Sequence, residues 1–196
     1  MIEVERKFSL QSGDKERLIE GAQLISRKEN KDTYYDQANY SLTTKDIWLR
    51  NRNEVFELKV SINAIKKQSE RKTDQYKEIT DENEIREILH IPVQAGLEQD
   101  LASHGYTPYG SWITVRTEYS KDGFIIDFDE VDFGLNMIEI ELMVPDESAV
   151  LEANEKIVAF AKQHNLTFTP ISGKNTEYLR RFKPEHYQAL VAAEIV

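Results

Sequence analysis

The sequence contains no cysteine, and this absence excludes several classes of function. Without thiols the chain forms no disulfide, uses no cysteine nucleophile and holds no zinc through thiolates. No apolar run reaches the roughly 20 residues of a membrane span, and the first residues form a charged segment without an apolar signal core. We therefore expect a cytosolic protein without a membrane partner. The histidines lack metal-binding spacing such as H-E-x-x-H and are expected at the surface: His90, His104, His164 and His186.

Positive charge is also in deficit. The chain has 25 Lys and Arg against 35 Asp and Glu, a formal net charge of -10 at pH 7. A net acidic protein is a poor ligand for a phosphate backbone, so we expect no nucleic-acid partner and only local binding of anions. The 196 residues show no repeat, low-complexity tract or linker, which predicts a single domain over residues 1–196. We expect a monomer.

Paired carboxylates are the main feature that the sequence does have. The acidic residues of each pair are two positions apart and alternate with apolar residues. On a β-strand such a pair shares one face, with its members about 7 Å apart. Like charges this close destabilise a sheet unless cations lie between them, so the pairs indicate a site for cations. The three pairs are Glu3 with Glu5, Asp127 with Asp129, and Glu139 with Glu141.

Basic residues occupy positions of the same kind on the predicted strands. Lys7 continues the face of Glu3 and Glu5, and four further basic residues lie on comparable strands: Arg50, Arg52, Lys59 and Arg116. At least five predicted strands thus have one charged and one apolar face. Helices would cover the apolar face, and curling of the charged face would give a barrel with a charged lumen. The alternative is an ordinary two-layer α+β sheet whose charged face meets solvent.

Strands are predicted over residues 2 to 8, 28 to 35, 47 to 61, 76 to 79 and 111 to 144. The last segment is predicted to be a meander of three antiparallel strands. Turn signals separate the predicted strands at Asn53-Glu54, Asp122-Gly123 and Gly134-Leu135-Asn136. The polar, lysine-rich segment from 62 to 75 is predicted to be a loop.

Helices are predicted between these strands. Ser12 is expected to cap a helix that reaches Ile25, because apolar residues recur at helical spacing. Asp81 and Glu84 have the spacing of a capping box and open a second helix, which ends near Pro92. Further helices are expected up to Gly105, after Pro145, and over residues 184 to 194.

A series of motifs follows in order along nearly the whole chain. The first, Glu3-Val4-Glu5-Arg6-Lys7, has the form ExExK. The later motifs are Asp32-Thr33-Tyr34-Tyr35-Asp36, Trp48-Leu49-Arg50-Asn51-Arg52, Glu57-Leu58-Lys59, Tyr76-Lys77-Glu78, Asp127-Phe128-Asp129, Glu139-Ile140-Glu141 and Tyr178-Leu179-Arg180-Arg181-Phe182. This series resembles the CYTH, or triphosphate tunnel metalloenzyme, superfamily, and within it the thiamine triphosphatases most.

The resemblance implies an α+β fold: an antiparallel eight-stranded β-barrel, or tunnel, with a charged lumen and external helices. A triphosphate and a divalent metal, Mg²⁺ or Mn²⁺, would bind inside, because these ions prefer oxygen ligands and bridge carboxylates to phosphate. The expected metal ligands are Glu3, Glu5, Asp127, Asp129, Glu139 and Glu141. The residues expected to bind phosphate oxygens are Lys7, Arg50, Arg52, Lys59, Arg116 and Lys174.

The expected reaction is hydrolysis of the terminal phosphate of thiamine triphosphate, which needs charge stabilisation rather than a side-chain nucleophile. Trp48 would stack on the cationic thiazolium, or else belong to the core. The proton of the attacking water would pass to a carboxylate or to Lys59, which is the candidate catalytic residue. Three alternatives remain open: hydrolysis of inorganic tripolyphosphate, cyclisation of ATP as in class IV adenylyl cyclases, and polyphosphate binding without turnover.

Overall fold

The computed structural model describes residues 2–61, 76–168 and 171–196. In these residues the chain forms eight strands: β1 Ile2–Ser9, β2 Gln23–Asp36, β3 Ile47–Arg52, β4 Val55–Ser61, β5 Tyr76–Ile79, β6 Thr107–Lys121, β7 Phe124–Val131 and β8 Leu135–Val144. It also forms six α-helices: α1 Asp14–Ile19, α2 Glu82–Leu89, α3 Leu97–Ser103, α4 Val150–Gln163, α5 Lys174–Phe182 and α6 Pro184–Ala192. The predicted loop from 62 to 75 lies outside the described residues.

All the strands belong to one antiparallel sheet, in the order β1-β8-β7-β6-β2-β3-β4-β5. Consecutive strands joined by short turns are neighbours, as in the pairs β3 with β4, β6 with β7, and β7 with β8. The predicted α+β fold with eight antiparallel strands is therefore confirmed. Closure of the sheet into a tunnel stays a prediction.

The chain divides into two compact units. The first unit comprises, of the described residues, 2–30, 113–168 and 171–177, and the second comprises 31–61, 76–112 and 178–196. The prediction of a single domain over residues 1–196 stays a prediction. None of the helices in the described ranges combines the length and the hydropathy that a membrane crossing requires.

In the first unit the apolar faces of β1, β7 and β8 form one core with helix α4. Its centre includes Val4, Ile126 and Ile140 from the strands, and Ile157 from the helix. Alternation puts the acidic residues on the opposite face of the same strands, yet Asp127 there is only 1% exposed. Both faces of β7 are thus buried, which contradicts the alternative of a solvent-facing charged surface for this strand.

In the second unit the core lies between the sheet and helices α2 and α3. Leu58 of β4, Ile85 of α2 and Leu101 of α3 are fully buried together. Arg86 and Asp100 join the two helices through a buried ion pair of 2.5 Å. Asp100 also accepts hydrogen bonds from the backbone N–H groups at 94 and 95, which satisfies its remaining lone pairs.

Most of the predicted turns and caps are confirmed. Asn53 and Glu54 both have positive φ, as a two-residue hairpin turn requires. The side chain of Asp81 accepts hydrogen bonds from the backbone N–H groups of residues 83 and 84 at the start of α2. Helices α4 and α6 begin where expected, after Pro145 and at Pro184.

The first predicted helix is wrong in its cap and its length. Gly13, with φ 84°, precedes α1 instead of Ser12, and the helix ends at Ile19. Ile25 lies in β2 and is about half exposed. Gly21 has φ 72° and breaks the helix, after which pairing within the sheet overrides a weak helical periodicity. Helix α5 is an element that the sequence reading missed.

Candidate functional site

Strand register brings the acidic pairs of the first unit onto one face of the sheet. Glu139 on β8 lies opposite Lys7 on β1 and opposite Asp127 on β7. Asp127 in turn lies opposite Glu118 on β6. Residues directly opposite each other in antiparallel strands point the same way, so these four charged side chains form one row across four strands.

Two further pairs flank this row on the same face. Glu5 on β1 lies opposite Glu141 on β8, and Arg116 on β6 lies opposite Asp129 on β7. Glu3 is two residues from Glu5 and therefore shares its face. The register thus confirms that residues distant in sequence are neighbours here, which the spacing within each pair could not show by itself.

Arg116 is the central cation of this face. Its Nε and Nη2 atoms donate to the two oxygens of Asp129, both at 2.7 Å. Its guanidinium also contacts Asp127 and Glu139, and its Nη1 lies 3.8 Å from an oxygen of Glu141. One arginine therefore meets four carboxylates, a ratio that leaves negative charge to be compensated by another cation.

Two lysines reach the same carboxylates. The Nζ of Lys7 donates to Glu5 Oε1 at 2.5 Å. Lys174, the first residue of α5, donates to Glu139 Oε1 at 3.2 Å and also to Asp129. The sequence reading placed Lys174 only by its distance from a later motif, and the structure puts its ammonium among the expected ligands.

Two groups of carboxylates have the geometry to hold a cation. Glu3, Glu5 and Glu141 form one group, and Asp127, Glu139 and Glu141 form the other, with the ligand atoms of each group within 4.8 Å of one another. Glu141 belongs to both groups. Oxygen-only donor sets of this kind suit Mg²⁺ and Mn²⁺.

The surroundings of Asp127 support the same conclusion. Both of its carboxylate oxygens are buried and accept no hydrogen bond from the described residues, although Oδ2 contacts Arg116. A buried carboxylate oxygen without a donor is unfavourable, and a bound cation would satisfy it. The residues present therefore fit a divalent metal. Asp129, which Arg116 and Lys174 already engage, lies outside both groups.

Burial and neighbouring charges make two of these carboxylates, Glu141 and Asp127, retain protons. Burial, followed by the neighbouring charge of Glu3, raises the pKa of Glu141 to about 9. Burial likewise raises the pKa of Asp127 to about 7, although Arg116 opposes this shift. Carboxylates that hold protons near neutral pH are ready to exchange them for a metal ion.

The expected phosphate-binding residues of β3 lie in the second unit, and each has an acidic partner. Arg50 donates through Nε to Glu57 Oε2 at 2.8 Å. Arg52 forms a two-pronged contact with Asp32 at 2.7 and 2.9 Å. The register puts Arg50 opposite Glu57, and Arg52 opposite Asp32, on one face of the sheet. Both arginines are pre-oriented by carboxylates.

Lys59 and Trp48 lie opposite each other on β4 and β3. Lys59 forms an ion pair with Glu78. Burial alone would raise the pKa of Glu78, but the charge of Lys59 and its hydrogen bond lower this pKa below its ordinary value. The ammonium of Lys59 is thus engaged by a carboxylate. Trp48 is buried, and its Nε1 donates to Asp46 Oδ1 at 2.8 Å.

Several residues of these faces were missed by the sequence reading. Glu118 is two residues from Arg116 and therefore shares its face of β6, so the alternation along this strand could have predicted it. The counter-ions Asp32, Glu57 and Glu78 lie inside the quoted motifs but had no role assigned to them. Their roles depend on pairing between strands, which parity alone does not give.

The prediction that all four histidines are surface residues is wrong for His186. Its ring is 3% exposed, stacks on Tyr40 with centroids 4.0 Å apart, and bonds to Thr43 Oγ1 at 2.7 Å. Burial lowers the pKa of His186, although Asp36 opposes this shift. The aromatic neighbours come from other elements, so helix position alone could not predict this burial.

Comparison with known proteins agrees with this geometry. The model of the CYTH domain family matches residues 1–167. The chain is 33% identical to human thiamine-triphosphatase over 97% of its own length and 90% of that protein. Among solved structures, the PH1819 protein of Pyrococcus horikoshii OT3 is 21% identical, has a TM-score of 0.68, and aligns over 91% of this chain and 99% of its own. A protein from Hippeastrum, named a putative adenylyl cyclase with a dominant triphosphatase activity, is 15% identical, has a TM-score of 0.56, and aligns over 92% of this chain and 95% of its own.

Proposed function

Because the chain belongs to the CYTH domain family, we propose that it hydrolyses thiamine triphosphate to thiamine diphosphate and phosphate with the help of a divalent metal ion. The observation that carries this proposal is the pair of carboxylate groups that share Glu141. They lie on the sheet face that also holds Lys7 and Arg116 and that Lys174 of α5 contacts. The choice of thiamine triphosphate is supported by the name of the human relative.

The metal ligands in this proposal are the members of the two groups: Glu3, Glu5, Asp127, Glu139 and Glu141. A bound Mg²⁺ or Mn²⁺ would act as a Lewis acid that offsets charge on the phosphate chain and acidifies water. Asp129 instead holds Arg116 in place through its two-pronged contact. In this role Asp129 orients a phosphate-binding side chain rather than a metal.

The basic residues of the first unit would bind the phosphate oxygens. Arg116 has its Nε and Nη2 atoms engaged by Asp129 and would offer its Nη1 atom, and Lys7 and Lys174 would offer point charges. A triphosphate carries about four negative charges at neutral pH, which these cations and the metal would offset. For Arg50, Arg52 and Lys59 of the second unit, phosphate binding stays a prediction.

A carboxylate, rather than Lys59, is the better candidate for accepting the proton of the attacking water. The ammonium of Lys59 is already engaged by Glu78. The carboxylates of the first unit, in contrast, lie on the face where the proposed metal and phosphate chain would bind.

The proposal is tested by offering the protein thiamine triphosphate, inorganic tripolyphosphate and ATP, each with Mg²⁺, Mn²⁺ or a chelator. We expect phosphate release from thiamine triphosphate in preference to the others, and none with chelator. Glu3→Ala should abolish most of this release, because it removes a ligand of one carboxylate group. The site assignment would be contradicted if Glu3→Ala were as active as the unmodified protein, or if activity persisted in the presence of chelator.

Other products would identify the alternatives. Preferential release of phosphate from tripolyphosphate would indicate an inorganic tripolyphosphatase. Pyrophosphate and cyclic AMP from ATP would indicate a cyclase, and the Hippeastrum protein is named a putative adenylyl cyclase. Tight binding of tripolyphosphate without release would indicate a binding module. The monomeric state and the cytosolic location stay predictions.

A further inference from the structure

Two of the proposed metal ligands are already bound to lysines. Glu5 accepts a hydrogen bond from Lys7 at 2.5 Å, and Glu139 accepts one from Lys174 at 3.2 Å. The two lysine side chains are 13% and 10% exposed, so water screens these pairs weakly. Each ammonium therefore occupies an oxygen of a carboxylate that belongs to one of the two groups.

A divalent ion and an ammonium cannot share these carboxylates at low cost. Both are positive, and their repulsion is strong where burial lowers the effective dielectric constant. Either the metal is excluded or the lysine moves away. A lysine can move, because its charge sits at the end of a flexible four-carbon stem.

Arg116 differs from the lysines in this respect. Its fork is held by both oxygens of Asp129, and Asp129 belongs to neither carboxylate group. Metal binding would leave this two-pronged contact intact, although Arg116 also contacts the group members Asp127 and Glu139. Lys7 contacts the group member Glu5, whereas Lys174 contacts the group member Glu139 and also Asp129, which lies outside both groups.

Resting on the function proposed above, we propose that Lys7 and Lys174 are exchangeable counter-ions. They neutralise Glu5 and Glu139 in the metal-free protein, leave these carboxylates when a divalent ion binds, and then contact the oxygens of the polyphosphate. Binding of the metal thus makes the ammonium groups of Lys7 and Lys174 available to the polyphosphate. The negative charge of the polyphosphate in turn compensates these two displaced ammonium groups. Metal and polyphosphate binding are coupled through these side chains, in addition to any direct contact between the two ligands.

The coupling predicts opposite effects of one substitution on two ligands. In Lys174→Met, Mn²⁺ alone should bind about tenfold or more tightly, because a competing positive charge is gone. Inorganic tripolyphosphate without metal should bind about tenfold or more weakly, because the positive charge that neutralises Glu139 is gone and this carboxylate then repels the anion. Lys7→Met should behave likewise. Titration calorimetry near about pH 8, where carboxylates retain fewer protons, measures both affinities.

A matched control is Lys156→Met, which removes the same charge from an exposed lysine of α4 paired with Glu152. It should leave both affinities unchanged. Unchanged or weaker Mn²⁺ binding in a folded Lys174→Met or Lys7→Met protein would overturn the proposal. A purely structural role for these lysines predicts weaker binding of both ligands.

The unmodified protein provides a test that needs no substitution. The side-chain ammonium resonances of Lys7 and Lys174 should shift when Mg²⁺ alone is added, and unshifted resonances at saturation would also overturn the proposal. These measurements involve no turnover. A protein that exchanges its lysines but releases no phosphate from any triphosphate would therefore refute the proposed function and leave the exchange intact.

Discussion

Metal binding to the first unit is expected to release protons, in an amount set by Glu141 and Asp127. With a pKa of about 9, Glu141 is about 99% protonated at pH 7 and about 90% at pH 8. With a pKa of about 7, Asp127 is about half protonated at pH 7. Displacement of these protons by a metal ion gives a release of about 1.5 protons at pH 7, about 1 at pH 8 and about 0.1 at pH 10.

Titration calorimetry with Mn²⁺ in buffers of different ionisation enthalpy measures this number directly. The apparent affinity should also rise with pH, by about tenfold per pH unit for each proton released. Glu141→Gln should lower the release by about one proton at pH 8. Glu130→Gln removes the same charge from an exposed position of β7 and should leave the number of released protons unchanged.

The reasoning would be refuted by saturable binding at pH 7 with a release below about 0.3 proton. Such a result would mean that the buried carboxylates are already ionised without metal. Equal release in Glu141→Gln and in the unmodified protein would instead show that the protons come from other groups.

Three further predictions concern stability. First, the raised pKa of Glu141 stabilises the metal-free fold below the pKa that this residue has in the unfolded chain, and the contribution is lost as the pH rises through about 9. Glu141→Gln should therefore raise the melting temperature in chelator at about pH 9 and not at about pH 5. Second, Arg52→Met removes the two-pronged contact with the buried carboxylate of Asp32 and should lower the free energy of unfolding by about 2 to 4 kcal/mol, together with activity. Third, Gly110→Ala should lower it by about 1 to 3 kcal/mol, because the new Cβ would lie 2.5 Å from the ring of Tyr178.

Each stability prediction has a control. Adding Mg²⁺ should remove the pH dependence that Glu141 causes, since a bound metal replaces its proton. Asp32→Asn combined with Arg52→Met should recover stability but not activity, and denaturant unfolding with a substrate assay separates the two. Gly96→Ala, where no atom lies within 4 Å of the new Cβ, should be nearly neutral. Equal losses at Gly110 and Gly96 would mean that backbone freedom, not the contact with Tyr178, decides the effect.

Local signals predicted the parts of the fold that depend on near neighbours. The hairpin at Asn53 and Glu54 and the cap at Asp81 follow from turn and capping chemistry, which acts over two to four residues. The helix expected up to Ile25 is not confirmed, because pairing of β2 within the sheet decided that segment. The burial of His186 was missed for a similar reason, since Tyr40 and Thr43 come from a distant part of the chain.

The sequence by itself determined which residues share a face within each strand, since side chains alternate with a period of two whatever the strand pairs with. It therefore indicated that the three acidic pairs, together with the basic residues Lys7 and Arg116, are candidates for one charged surface. Only the tertiary structure decided which of them meet. The contact of Lys174 with Asp129 joins residues 45 positions apart, and the grouping of Glu3, Glu5 and Glu141 depends on the register of β1 with β8. Register is set by packing and turns over the whole sheet, and so strand periodicity alone could not reveal the two carboxylate groups or the lysines that neutralise them.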